Sequence, residues 1–225
     1  MKHHQYAIIG LDYFGKTVAL ELMNQHHEVL GVDADESHID ALADHLTHSL
    51  IADPTDENAL RELDLERFDA VLIDLATIES STLCATHLLE MGVKELWVRA
   101  LSDNHYKLLR RLQVDRIIYP EHDHGVHVAQ SLNHRSVIDM ISLGDEQYVI
   151  ELEITESLIE QHGEKNGDTA TLRIGRDQSA RLVAVKRRDR LDCNPDDNTH
   201  LEAGDHVILI GHLKALRHFD TQDDS

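Results

Sequence analysis

The sequence predicts an α/β protein, with a doubly wound parallel sheet followed by a small α+β domain. Three observations predict it. Over the first 120 residues, short β-rich runs alternate with amphipathic helical runs. The strand runs are apolar at nearly every position, as strands buried on both faces are. The connections are short, and the alternation stops at Pro120; beyond it, half-buried strands replace the buried ones.

Tyr6-Ala-Ile-Ile9 reads as the first strand, Gly10 to Gly15 as a turn, and Lys16 to Gln25 as a helix. Val29-Leu-Gly-Val32 is the second strand and ends at Asp33. Glu36 to Ala43 follows as a helix, with Ile39, Leu42 and Ala43 on one face. Ser49 to Ala52 is a third strand. Asp56 to Leu63 is a helix with Thr55 as its N-cap. Ala70-Val-Leu-Ile73 is the fourth strand, and Ser80 to Glu90 a helix closed by Gly92. Leu96-Trp-Val98, a helix from His105 to Leu112, and Arg116-Ile-Ile-Tyr119 complete the series. This reading divides the chain into a nucleotide-sensing domain over 1–120, a crossover helix and linker over 121–136, a second domain over 137–219 and a disordered tail over 220–225. Within the second domain, Val149 to Ile154, Leu182 to Val185 and His206 to Ile210 are strands. Residues 162–168 form a loop and Leu213 to Phe219 a short helix.

Composition narrows the function. Asp and Glu number 42 against 21 Lys and Arg, a formal charge of -21. Such a surface repels nucleic acid and suits solubility in high salt. No apolar run approaches the roughly 20 residues that cross a bilayer, and the opening residues lack a signal-peptide core. A cytoplasmic protein is expected, reaching a membrane process only through a membrane partner. Cys84 and Cys193 fall in different predicted domains, so no disulfide framework is expected.

The chemistry-bearing residues gather at the carboxyl ends of the strands, where doubly wound sheets hold ligands. Gly10-Leu-Asp-Tyr-Phe-Gly15 stands between strand and helix, where a dinucleotide-binding Rossmann turn carries G-x-G-x-x-G. Gly10 and Gly15 fit. Asp12 takes the place of the middle glycine and brings bulk and negative charge to where a pyrophosphate would lie; it is placed to cap the helix instead. Asp33, 18 residues past Gly15, fits the acid that hydrogen-bonds ribose hydroxyls and disfavours a 2′-phosphate; the other reading is a loop carboxylate in an acidic turn. Asp53 either reaches an adenine edge or holds its own turn. Asp74 ends the fourth strand facing the same crevice. Arg99 is either a phosphate partner or the partner of a nearby carboxylate. His124 and His127, an i, i+3 pair, are spaced to ligate a metal or are simply solvent-facing. No nucleophile elbow and no paired acid and base stand at the strand ends.

Further blocks extend the pattern: Ile51-Ala-Asp-Pro-Thr-Asp56, Leu96-Trp-Val-Arg-Ala100, Asp115-Arg-Ile-Ile-Tyr-Pro-Glu121, Gly125-Val-His-Val-Ala129 and Leu201-Glu-Ala-Gly-Asp-His-Val-Ile-Leu-Ile-Gly211. Together these residues resemble the RCK (KTN) regulatory subunits of Ktr and Trk potassium-uptake systems, in particular the KtrA-like ones. The resemblance implies a Rossmann-type RCK-N domain followed by an RCK-C domain. It also implies a homo-oligomeric ring, an octamer of paired subunits, seated under a KtrB- or TrkH-like membrane channel or transporter subunit. An adenine nucleotide, ATP or ADP, with AMP and NAD(H) as the other candidates, would bind the first domain and gate the partner, with a divalent cation as a further ligand. The residues it carries over are Gly10, Leu11, Phe14, Gly15, Asp33, Asp53, Pro54, Asp74, Arg99, Ala100 and His105. Glu121 matches an acid that helps to bind ATP or its cation across a subunit interface. Asp12 and Tyr13 depart from the pattern: the family commonly has an arginine where Tyr13 stands, so both changes remove phosphate contacts. In some relatives the C-terminal domain binds cyclic di-AMP, and no residue here marks such a site. Two other readings remain, a Rossmann NAD-dependent oxidoreductase and a ring scaffold that has lost nucleotide sensing.

Overall fold

The computed structural model describes residues 3–133, 137–144, 147–162, 164–166, 169–171, 180–196 and 199–212. The chain divides into two compact units, Met1–Pro120 and Glu121–Ser225. The expected helix over 213–219 and the tail over 220–225 lie outside the described residues.

The first unit is built on six parallel strands, β1 (Gln5–Ile9), β2 (Glu28–Asp33), β3 (His48–Ile51), β4 (Ala70–Ile73), β5 (Leu96–Arg99) and β6 (Arg116–Ile118). Their order is β3-β2-β1-β4-β5-β6. The chain winds outward from β1 to β3, then crosses to the other side of β1 and winds outward again. This reversal opens a crevice at the carboxyl ends of β1 and β4. Ile9 pairs in register with Val32 on one side and Ile73 on the other. The central strands are apolar on both faces because both faces are covered. Ala7, Ile9, Val71, Ile73 and Val98 are wholly buried in one layer with Leu60, Leu65, Cys84 and Leu88. Ile8, Val29 and Leu72 pack on the opposite face with Leu11, Ala19 and Leu42.

The helices are α1 (Tyr13–Asn24), α2 (Glu36–Asp40), α3 (Glu57–Arg61), α4 (Ile78–Met91) and α5 (Asp103–Arg111). Side-chain caps set most of their starts, each satisfying an amide that the helix itself leaves orphaned. Thr77 accepts from the Ser80 amide, Ser102 from His105, and Asp35 from Ser37. The α3 cap is Asp56, which accepts from Asn58, and not Thr55 as expected. Thr55 is turned back to Asp53, donating its amide at 2.8 Å and its hydroxyl at 2.7 Å. Gly92 closes α4 in the left-handed region at φ 77°, returning its amide to Leu88 and Leu89.

The second unit opens with α6 (Pro120–Asn133), followed by β7 (Val137–Gly144), β8 (Gln147–Glu153), α7 (Glu156–His162), β9 (Glu164–Asn166), β10 (Thr169–Thr171), β11 (Ala180–Arg187), β12 (Arg190–Asp192) and β13 (His206–His212). Five strands form an antiparallel sheet in the order β12-β11-β13-β8-β7. Alternation in β8 buries Ile150 and Leu152 against Leu158, Leu201, Val207 and Leu209. Asp205, almost wholly buried, is gripped by both arms of Arg187 at 2.8 and 2.6 Å, and the Glu202 amide adds a third bond at 2.9 Å. This locks the turn into β13. The loop expected over 162–168 is instead partly strand: β9 pairs antiparallel with β10.

Candidate nucleotide site

The site is built where β1 turns into α1. Gly10 sits at φ 94°, and a Cβ there would lie 1.9 Å from the Asp74 carbonyl oxygen, so only glycine fits. A Cβ on Gly15 would lie 2.0 Å from the Gly10 oxygen. That close approach seats α1 directly against the turn. The Gly10 amide donates to Val32 at 2.8 Å, and the Asp74 amide to Ile9 at 2.7 Å. The two glycines of the predicted fingerprint therefore perform the packing the motif demands.

Asp33 ends β2 beside this turn. Its Oδ2 accepts from the Leu11 amide at 2.7 Å and lies 3.0 Å from His38 Nδ1, while Oδ1 accepts from the Asp35 amide at 2.9 Å. Three partners orient the carboxylate at the crevice mouth, where its side chain keeps 14% of its exposure. His38 is a site residue that sequence reading missed. The signal was available, since a histidine five residues past Asp33 on the first turn of α2 can fold back over the strand end. Hydrogen bonding to Asp33 raises the His38 pKa, with smaller contributions from the charges of Asp35 and Asp12.

Asp74 is placed otherwise than expected. Its side chain is fully buried and does not open to the crevice. Oδ2 accepts from the Gly15 amide at 2.7 Å, and Oδ1 is paired with Arg99 Nε. The expectation of a ligand-facing carboxylate is corrected for a physical reason: a charge buried here is stabilised by a helix N-terminal amide and a guanidinium together. Of the two readings of Arg99, the structure shows the carboxylate pairing. Asp12 occupies the N-cap position of α1, yet its side chain makes no cap hydrogen bond; the expected side-chain cap is absent, and only its carbonyl accepts, from Lys16 at 2.9 Å. With the Gly15 amide taken by Asp74, the Tyr13 and Phe14 amides remain without a protein partner among the described residues. Tyr13 itself is 87% exposed, while Phe14 packs into the layer beneath α1.

The remaining predicted residues spread around this centre. Asp53 is exposed and spends Oδ1 on Thr55, which lowers its pKa. Pro54 is buried beside it. Ala100, wholly buried, donates its amide to Ile118 at 2.8 Å. His105 is also wholly buried, and burial lowers its pKa, so the ring is neutral. Nδ1 accepts from the Leu101 amide at 3.2 Å, which leaves Nε2–H as a donor with no partner among the described residues. Glu121 is exposed on α6 and belongs to the second unit. His127 Nε2 lies 2.9 Å from Asp139, and its ring is 5.7 Å from that of His124.

Comparison with known proteins places this geometry in a family. The family model for the TrkA-N domain matches residues 6–120. The Ktr system potassium uptake protein A of Bacillus subtilis (strain 168) is 33% identical over 223 residues, 99% of this chain and 98% of the relative. The Vibrio alginolyticus protein of the same description is 31% identical over 208 residues, 92% of each chain. Among solved structures, the NAD(P)-binding domain of an exopolyphosphatase-related protein from Archaeoglobus fulgidus has a TM-score of 0.51 at 27% identity, covering 58% of this chain and 96% of that one. The GsuK channel bound to NAD has a TM-score of 0.65 at 16% identity; it covers 100% of this chain, which spans 41% of that one, and the likeness is one of fold. The parallel six-stranded unit and the separate antiparallel unit share the fold of the GsuK RCK domain, with a TM-score of 0.64 at 16% identity. The glycine turn, the strand-end carboxylate and similarity to both relatives along nearly the whole chain agree, and the chain belongs to the TrkA-N family.

Proposed function

We propose that this chain is a regulatory subunit of a potassium-uptake system, in which an adenine nucleotide held in the crevice of the first unit biases the state of a membrane partner. The observation that carries the nucleotide reading is Asp33. It is a strand-end carboxylate fixed by the Leu11 amide of the glycine turn, in the position from which such an acid binds ribose. The open Tyr13 and Phe14 amides at the start of α1 offer donors to an anion. Support for the potassium-uptake reading is the match to Ktr system proteins along nearly the whole of both chains. The partner is then a membrane channel or transporter subunit. No helix of the described residues is long and apolar enough to cross a membrane, so transport itself falls to that partner, and this chain acts from the cytoplasmic face as a ring of copies. Glu121 is assigned to the nucleotide's phosphates or their cation, contributed from a neighbouring copy. Regulation requires the nucleotide to bind two states of the ring with different affinity, since equal affinity shifts nothing.

The test is calorimetry of the purified chain with ATP, ADP, AMP and NADH, with Asp33→Asn alongside. Heat at micromolar concentration from at least one nucleotide, weakened about tenfold in the variant, is the expected result. Silence from all four leaves a scaffold without sensing, which Asp12 at the turn would favour. Turnover of NADH with a small substrate would make the protein an oxidoreductase. The potassium-uptake reading fails separately, if the chain does not associate with a Ktr-type membrane subunit when the two are produced together.

A further inference from the structure

Away from the crevice, the packed pair α3 and α4 brings together Glu57, His87 and Glu90. Glu57 is the first residue of α3, while His87 and Glu90 stand three apart on one side of α4. Each offers one ligand atom, and the three atoms lie within 4.8 Å of one another. The environment of this cluster is unbalanced. Arg61 holds one oxygen of Glu57 at 2.6 Å across an exposed helical turn, a weak kind of pair. Glu90 has no cation partner among the described residues, although a second carboxylate is its neighbour. His87 has no hydrogen-bond partner among the described residues, and its Nδ1 is shut off from solvent. Two carboxylates share one small space with an imidazole that makes no hydrogen bond among the described residues, and the one cation paired with them there is Arg61, on Glu57.

We propose that Glu57, His87 and Glu90 form a surface site for a divalent transition metal, with zinc the best match to the donor set. Carboxylates alone would suit magnesium or calcium, and the imidazole moves the preference to zinc. Zinc bonds of about 2.0–2.2 Å put neighbouring tetrahedral ligands about 3.4 Å apart. Glu90, the exposed member, is the ligand freest to rotate and close the difference from the observed spread. Water completes the shell, and the ion displaces Arg61 from Glu57 without disturbing the helices. The bound metal joins the start of α3 to the end of α4 through side chains from both.

The experiment uses the full chain, stripped of metal with a chelator and titrated with zinc chloride by calorimetry. It is repeated for Glu90→Gln, for His87→Gln and for the control His124→Gln/His127→Gln, because the chain has 18 histidines and other rings will take zinc weakly. One equivalent per chain in the tightest class is expected, weakened at least tenfold in Glu90→Gln and His87→Gln and unchanged in the control. Zinc should also raise the unfolding temperature of the wild type and not of Glu90→Gln. Glu90 is exposed, so its variant folds whatever His87→Gln does. No binding by the wild type, an isotherm indifferent to Glu90→Gln, or equal binding of magnesium chloride would overturn the proposal.

Discussion

Replacing Asp74 by Asn tests whether the buried carboxylate holds the first unit together. The side chain is fully buried, Arg99 is 13% exposed, and both oxygens are used, one by the Gly15 amide and one by Arg99. Asparagine keeps the shape and one acceptor oxygen. Its NH2 group must then face either the Gly15 N–H or the Arg99 Nε–H, donor against donor, and the guanidinium loses its countercharge. Removing one partner of a buried ion pair costs about 3–5 kcal/mol, and the slight exposure of Arg99 places the expectation near about 3 kcal/mol. A unit spanning Met1–Pro120 loses about 3–5 °C per kcal/mol, so its transition should fall by about 10 °C. Trp97 is the sole tryptophan and lies in β5, two residues from Arg99, so its fluorescence in urea or on heating reports this unit directly. The double variant Asp74→Asn/Arg99→Met should recover part of the loss, because it removes the stranded charge. A change below about 1 kcal/mol in Asp74→Asn, or no recovery in the double variant, would refute the reasoning.

Asp12→Gly should tighten ATP binding about fivefold, the effect of removing about 1 kcal/mol of charge repulsion at a solvated helix start; because the side chain caps nothing, stability should hardly change, and an unchanged or weaker calorimetric affinity contradicts the argument. The His38 pKa is raised in the fold above its ordinary 6.5 by Asp33, so the stabilisation from this contact is fully present below about pH 6.5 and is lost as pH rises through the higher folded value. Unfolding of wild type and His38→Gln should accordingly differ most in mild acid and converge in alkali, and a gap that widens with pH rejects it. Burial pushes the Cys84 thiol up to about 12, whereas Cys193 is exposed; a thiol reagent should label one cysteine in the native protein and two after denaturation. In the second unit, Arg187→Met leaves Asp205 buried without its bidentate partner; because the Arg187 side chain is half-exposed, the cost should fall below that of a fully buried pair, at about 2–3 kcal/mol, measured as a shift of the circular-dichroism transition.

The four central strands could be read from the sequence because burial on both faces makes their runs apolar, as in Ala7-Ile-Ile9 and Ala70-Val-Leu-Ile73, whereas the edge strands β3 and β6 are more exposed and were marked by the alternation of strand and helix. Helix starts were less legible. Helix α1 begins at Tyr13 because the Asp12 carbonyl already accepts from Lys16, a backbone event with no residue signature. Strand β7 escaped notice because Ile138, Ile141 and Leu143 remain exposed and its register slips twice, so no two-residue alternation survives. At the site, Gly10, Gly15 and Asp33 were recognisable from spacing, since local chain geometry fixes their separation. The burial of Asp74 was not, because it depends on an arginine 25 residues away, which only the folded sheet brings near.

The Gly15–Asp74–Arg99 chain of contacts has a mechanical consequence. It ties the first turn of α1 to the ends of β4 and β5, while the Gly10 turn leaves no slack against the Asp74 backbone. The floor of the crevice is thus a stiff plate and not a set of independent loops. Whatever presses on the start of α1 cannot be absorbed there by local rearrangement; the displacement has to travel outward, as motion of whole elements.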